Sequence, residues 1–439
     1  MKRIVASIGV AALGAACVQT SNAQGDGSKP FTASVALRGF YDDNVNTANS
    51  GKLESWGGEI SPTLGFYLRA DQTTAQLVYT YDFMYYQNSP QGDGDRNDQT
   101  HTIAASLLHT FNERTTLAVS ESFVIGQEPD VLRAGPAYAS FQRISGDNVR
   151  NFANLTLNHQ FAPKFGMEVG YANSLFDYAD DVYQVNHFFG NPAFPFSNVN
   201  PVSNSGLLDR MEQTAHLDAR WTIQPTTVGL IGYAFQYSHY TADQPIGVIL
   251  VPNQLINSDA RDSRSHYVYA GAEHTFMPGL SGSLRGGARF TDNFNSPSKE
   301  SSTSPYVLAS LTYDYSKDSA LAVGFSTDLS ATDAFYPSDI NGANISTDSQ
   351  STVAYVSWTH HFVPSLIGNL MGQFQNNGFR GGQYDNQNEQ YYVASASLTY
   401  QINRHVATSL SYNYDLLESD IPGRGFDRNR VFLGVTFTY

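Results

Sequence analysis

Apolar and polar positions alternate along most of the chain, and the closing stretch RVFLGVTFTY shows the pattern clearly. Val431, Leu433, Val435, Phe437 and Tyr439 share one parity, and Phe432, Gly434, Thr436 and Thr438 share the other, the period of a β-strand with two unlike faces. Such segments recur in pairs joined by very short polar turns near 69–73, 112–115, 162–165, 224–227, 277–280, 316–319, 363–366 and 403–406. Longer connections rich in Asn, Asp, Ser, Gly and Pro separate the pairs, roughly at 42–54, 87–98, 126–147, 178–208, 241–262, 291–303, 331–349, 377–388 and 417–427. Eight turns and nine loops divide eighteen strands, with both termini at one end; sixteen is the alternative if one hairpin is miscounted. The pattern predicts an all-β fold: a transmembrane up-and-down antiparallel β-barrel with short periplasmic turns and long external loops. The last strand is expected to pair with FTASVALRGFY (31–41), because edge groups without partners are costly in a bilayer.

Composition narrows the class. The chain has 27 Phe, 27 Tyr and 3 Trp, and charged residues make up only 15%, which is low for a soluble surface. Beyond the N-terminal segment no run reaches the ~18 to 20 apolar residues of a membrane-spanning helix. A formal charge of -15 argues against nucleic acid as a partner. Lys2 and Arg3, an apolar stretch from Ile4 to Val18, and the small residues around Ala23 read as an export signal over residues 1–23, leaving one barrel domain at 24–439. The only cysteine, Cys17, lies within it; a lipoprotein reading meets Gly14 where an apolar residue is wanted. No disulfide, thiol chemistry or cofactor is expected of the mature chain.

The two faces of the strands carry different chemistry. Strands running into short turns end on HTF, HQF, HTF and HHF, placing His109, His159, His274 and His360 two residues before Phe111, Phe161, Phe276 and Phe362. With Trp221, Tyr313 and Tyr315 they share the lipid-facing parity and predict an aromatic girdle at the turn end. A metal site made from these histidines is disfavoured because they lie on strands spread around the perimeter. The opposite parity offers Ser, Thr, Gly, Gln and Asn, with charges at Arg38, Glu168, Glu212, Asp218, Arg220, Glu273, Arg285, Arg289, Asp314, Asp328, Asp415 and Arg430. Closure is expected to make Arg38 and Arg430 neighbours near the external rim. The lumenal arginines then either form an anion-attracting patch or pair with lumenal acids.

Two resemblances add to this reading. The end at Tyr439 resembles the C-terminal signal read by the barrel-assembly machinery of Gram-negative bacteria, with Gly434, Phe437 and Tyr439 in its glycine and hydrophobic positions. Phe432 departs from it where a polar residue is usual, and alanine at 434 is expected to fit the inward face. GFYDDNV (Gly39 to Val45), after the first strand, resembles the opening of the putative beta-barrel porin 2 family, and the layout of the mature chain is similar. That resemblance implies an outer-membrane barrel of poorly known substrate, some of whose relatives are encoded beside exopolysaccharide machinery.

Site candidates are few. GDGDRND sets Asp93, Asp95 and Asn97 at alternate positions like the start of a calcium loop, but Ala104 stands where the bidentate Glu belongs, so a polar loop is the stronger reading. YDDN (Tyr41 to Asn44) reads as a strand end and turn. No nucleophile and base are brought together by the register, so no enzyme activity is expected. FFGNPAFPFSNVNPVSN (188–204) and QPIGVILVPNQLIN (244–257) are unusually apolar for loops, and they are expected to pack over the mouth, part of the longer one entering it.

The leading function is passive passage of small hydrophilic solutes through a porin-like channel. An exopolysaccharide export partner or a surface structural or adhesion barrel are the alternatives, separable by bilayer conductance and by the neighbouring genes. Outer-membrane lipid, lipopolysaccharide and the barrel-assembly machinery are the expected partners.

Overall fold

The computed structural model describes residues 30–439 except 90–94, 128–133, 136, 139, 142–147, 188–194, 298–300, 335–347 and 382–383; the proposed export signal lies outside the described residues. Each hydrophobic alternation becomes a strand. The first seven are β1 (Phe31–Asp42), β2 (Ser55–Arg69), β3 (Thr73–Tyr86), β4 (Asn97–Asn112), β5 (Thr115–Gly126), β6 (Asn148–Ala162) and β7 (Phe165–Tyr178). The following connection holds two short strands, β8 (Val185–Asn186) and β9 (Asn198–Val199), and one helical turn, α1 (Asn204–Leu208). Next come β10 (Arg210–Gln224) and β11 (Thr227–Tyr240), then a loop hairpin of β12 (Pro245–Ile249) and β13 (Gln254–Asn257). The wall continues through β14 (Ser263–Met277), β15 (Leu280–Asp292), β16 (Ser301–Ser316), β17 (Ser319–Ser330), β18 (Asp348–Val363) and β19 (Leu366–Arg380). It ends with β20 (Asn388–Asn403), β21 (Val406–Ser419) and β22 (Phe426–Thr438).

Without β8, β9, β12 and β13, these strands form one 18-stranded antiparallel sheet. Each wall strand pairs with its chain neighbour, β7 with β10 and β11 with β14 across the inserted elements, and β22 pairs with β1 from Ser34↔Thr438 to Asp42↔Arg430. The sheet is therefore a closed barrel without a free edge, the form in which strands can cross a bilayer. No described helix is long and apolar enough to cross a membrane. All eight short turns fall where the alternation breaks, at the end of the barrel that also holds the first residue of β1 and the last of β22.

The seam is clasped at the loop end by the GFYDDNV stretch. The Asp43 N–H donates to the Asn429 carbonyl at 3.1 Å, and the Asn429 side-chain amide returns a bond to the Asp43 carboxylate at 2.7 Å. The Asn44 amide donates to the carbonyls of Asp427 and Ala48 at 2.8 and 3.0 Å. YDDN thus joins the first and last strands, as its side chains satisfy backbone groups that a loop alone would leave open.

Leu37, Ile60, Leu64, Ile231, Leu284 and Leu433 are exposed on the outer face, while the inner face carries the polar parity. Buried apolar clusters lie at the lumen wall and under the loops instead of in a central core. One joins Tyr178, Leu207, Leu208, Ile246, Ile249 and Ile256, so α1 packs on the β12–β13 hairpin. Leu207 and Leu208, which make this contact, lie just beyond the apolar stretch 188–204. Phe196 joins through its backbone, held by both ends of the Asn253 amide at 2.9 and 2.7 Å. Phe188, Phe189 and Phe194 lie outside the described residues.

Candidate functional site

Most of the charges named on the inward face stand in paired groups. Toward the turn end, β7, β10, β14 and β15 bring Glu168, His216, Asp218, Arg220, Glu273 and Arg285 together. Arg220 bridges Glu168 at 3.2 Å and Glu273 at 2.6 Å, and Arg285 lies 3.0 Å from Asp218. The Tyr269 hydroxyl donates to Asp218 at 2.6 Å, and His216 Nε2 lies 3.4 Å from Glu168. Gly170 makes this arrangement possible, since a Cβ there would fall 1.9 Å from the His216 ring. Glu168, His216 and Asp218 are close enough to offer three ligand atoms to one cation. Two guanidinium groups already occupy those carboxylates, so the cluster is a charge network and not an open metal cage.

Higher on the same wall Arg289 lies 3.2 Å from Asp328 and donates to Gln236 at 2.8 Å and to the Leu329 carbonyl at 3.0 Å. Beside the seam, Asp415 takes Arg428 and Arg430, each at 3.0 Å, and Arg38 lies 2.8 Å from Glu59. The expected closeness of Arg38 and Arg430 is not found. The seam register sets Arg38 opposite Gly434 and Arg430 opposite Asp42, and each arginine turns to its own acid. Arg38, Arg285, Arg289 and Arg430 thus form no shared cationic patch. Asp314 is exposed at the turn end of β16, apart from these groups.

Among the described residues, a segment to which the sequence pattern gave no special role enters the lumen. Part of the β5–β6 connection, described at 134–135, 137–138 and 140–141, crosses to the wall formed by β19–β22. The Gly135 N–H donates to Gln373 at 2.8 Å; Gln375 accepts from the Tyr138 N–H and donates to the Tyr138 carbonyl, both at 2.8 Å. Tyr138 and Phe141 are buried against Met371, Tyr391, Val393, Leu417 and Phe426, and the Phe141 and Tyr391 rings stack 4.6 Å apart. Gln373 stands midway along β19, so the strap narrows the barrel near half its height.

A second crossing lies at the mouth. Arg261 donates to the carbonyls of Leu207 and Thr332, both at 2.9 Å, and Arg424 reaches Asp333 at 2.6 Å and Glu389 at 2.5 Å. Burial pushes the Arg261 pKa down. Burial also works against the charge on Arg424, but the Asp333 and Glu389 carboxylates outweigh it and hold its pKa up. Residues 331–334 therefore tie three connections together. Asp209, which ends α1, accepts from the Tyr178 N–H at 2.7 Å and the Ser205 hydroxyl at 2.8 Å, and burial pushes its pKa up to about 6.

The other candidates are placed as follows. Asp93 lies outside the described residues, Asp95 gives its carbonyl to Ser89 at 2.9 Å, and Asn97 opens β4. His109, Phe111, His159, Phe161, Trp221, His274, Phe276, Tyr315, His360 and Phe362 lie near the turn end, with all four phenylalanines exposed. Phe437 faces outward beside Val35 and Val406, and the Tyr439 N–H donates to the Ala33 carbonyl at 2.9 Å. Gly434 differs from expectation, because an added Cβ would lie 2.5 Å from Arg38 Cγ and 2.6 Å from the Leu37 carbonyl oxygen.

A closed antiparallel barrel of 18 strands, apolar outside and polar within, defines an integral protein of the bacterial outer membrane. Residues 253–439 match the model of the family described as putative beta-barrel porin 2, a match that extends from the β12–β13 hairpin to the seam. No curated protein matches the chain. Among solved structures, OccAB4 of Acinetobacter baumannii is similar at 12% identity over 94% of this chain and 99% of its own, with a TM-score of 0.41. A BenF-like porin from Pseudomonas fluorescens Pf-5 is similar at 11% identity over 94% and 99%, with a TM-score of 0.43. OccK2 (OpdF) of Pseudomonas aeruginosa is similar at 13% identity over 93% and 98%, with a TM-score of 0.41. The architecture described above rests on the strand register itself.

Proposed function

We propose that the protein is a channel for the passive passage of small hydrophilic solutes, with both termini and the eight short turns on the periplasmic side and the loops outside. The observation that best supports this is the strap carrying Gly135, Tyr138 and Phe141, held across a polar lumen at mid-height. Eighteen strands enclose more space than wall side chains fill, so a segment crossing that space determines the free cross-section. Ion pairing of the lumenal arginines favours selection by size over selection by charge sign. Gly434, Phe437 and Tyr439 serve recognition by the barrel-assembly machinery, and lipopolysaccharide surrounds the loop end. Swelling of vesicles containing the protein tests the reading with sugars of graded size. Monosaccharides should enter readily and trisaccharides slowly; vesicles that swell with none of them would reject a channel.

A further inference from the structure

The lipid-facing rim at the turn end repeats one constellation. On β4, β6 and β14, Nδ1 of His109, His159 and His274 lies 2.8, 2.9 and 2.8 Å from the hydroxyl of Thr73, Thr115 and Thr227, the residue directly opposite on the preceding wall strand. On β18, the Tyr315 hydroxyl takes that place beside His360 at 2.8 Å. The phenylalanine two residues further on meets each ring edge to face, with centroids 4.4, 4.6, 4.5 and 4.8 Å apart. One ring nitrogen is thus fixed to the wall, and the aromatic contact sets the ring's orientation. Among the described residues no hydrogen bond engages Nε2 of these four rings.

Charge gives a second, independent observation. The eight turns carry Arg69, Arg114, Lys164, Lys317 and Arg404 against Asp71, Glu113 and Asp318, a positive surplus on a chain whose formal charge is -15. Arg69 and Arg114 lie on the turns flanking His109, Lys164 follows His159, and Lys317 follows Tyr315. In the tautomer whose Nδ1 accepts from the Thr or Tyr hydroxyl, Nε2 carries the proton, and at the edge of the hydrocarbon such a donor without a protein partner needs an acceptor from the lipid.

We propose that the four His–Phe modules form a phosphate-binding collar in which Nε2 of His109, His159, His274 and His360, backed by the turn cations, holds the headgroup phosphate of phospholipids in the surrounding leaflet. The collar rests on the membrane-spanning reading and adds a ligand class to the girdle. Trp221 and Trp358 lie near this rim, and Trp358 stacks on His360 with ring centroids 5.3 Å apart, so tryptophan quenching reports on the lipids bound there. The membrane-inserted protein is titrated with brominated phosphatidylcholine and, separately, with a brominated galactolipid bearing the same acyl chains but no phosphate. The unaltered protein should prefer the phospholipid several-fold, and the quadruple variant His109→Leu, His159→Leu, His274→Leu, His360→Leu should prefer neither. A quadruple variant that stays heat-modifiable on gels and keeps the full preference overturns the collar. If that variant does not fold, His360→Leu in a background with Trp56→Phe and Trp221→Phe carries the test through Trp358, and an unchanged preference there overturns it equally. Loss of heat-modifiability in the unaltered protein would instead strike the barrel reading.

Discussion

Releasing the strap should open the channel. Gln373 and Gln375 make three hydrogen bonds with Gly135 and Tyr138 of the strap, all at 2.8 Å and all in a buried setting. The double substitution Gln373→Ala, Gln375→Ala removes them and leaves the Gly135 and Tyr138 N–H groups without these acceptors. At about 1 kcal/mol net for each bond the loss is about 3 kcal/mol, more where a donor stays buried and unpaired. Since about 1.4 kcal/mol is a tenfold change in an equilibrium constant, the undocked population should rise by about a hundredfold. Single-channel recording should then show a higher conductance level, or long visits to one, with heat-modifiability retained. Release is monitored independently in a Ser140→Cys background, where a thiol reagent should label faster in the double variant; the only native cysteine is Cys17. Faster labelling together with unchanged conductance would show that the strap moves without governing passage, and would refute the reasoning.

Three further outcomes follow from named contacts. Gly434→Ala should lower barrel stability by about 1 to 3 kcal/mol, the usual cost of overpacking, because the Leu37 carbonyl cannot move without disturbing the seam; a melting temperature equal to the parent's would contradict this. Phe437→Ser with Tyr439→Ser should leave the chain in the periplasm, where it is degraded, and normal recovery from the outer membrane would deny these side chains an assembly role. For Asp209 burial raises the folded pKa from the ordinary 3.8 to about 6, so its contribution to loop docking is fullest below 3.8 and is lost as pH rises through 6. Protease resistance of the loop at 179–209 should therefore be greater at pH 5 than at pH 7.5, and Asp209→Asn should abolish the difference.

The wall was legible because period-2 alternation broken by polar turns directly records which residues face lipid. All eight turns, and the closure of 31–41 onto the last strand, follow from that record. Inward parity likewise placed Glu168, Asp218, Glu273 and Arg285 on the correct face. What parity does not carry is register around the cylinder. Arg38 and Arg430 both point inward, yet a stagger of four residues along the seam gives them different acids. The strap was missed for a related reason. Tyr138 and Phe141 are two aromatics in a connection of mixed polarity, a weaker signal than the four Phe of 188–204, and their partners Gln373, Gln375 and Tyr391 are more than 200 residues away. Threonines 73, 115 and 227 could have been found, since each is the first or near-first residue after a short turn and must face the histidine that ends the next strand. The loop clusters depend on long-range contacts, such as Arg261 with Thr332, that no local pattern announces.

Conductance of the purified unaltered protein in a planar bilayer decides whether this barrel encloses a water-filled path. Discrete, ohmic current steps that fall when sugars small enough to enter are added are expected, with a reversal potential near zero in a potassium chloride gradient because the lumenal arginines are paired. A heat-modifiable, fully inserted protein that passes no current over many insertions would contradict it.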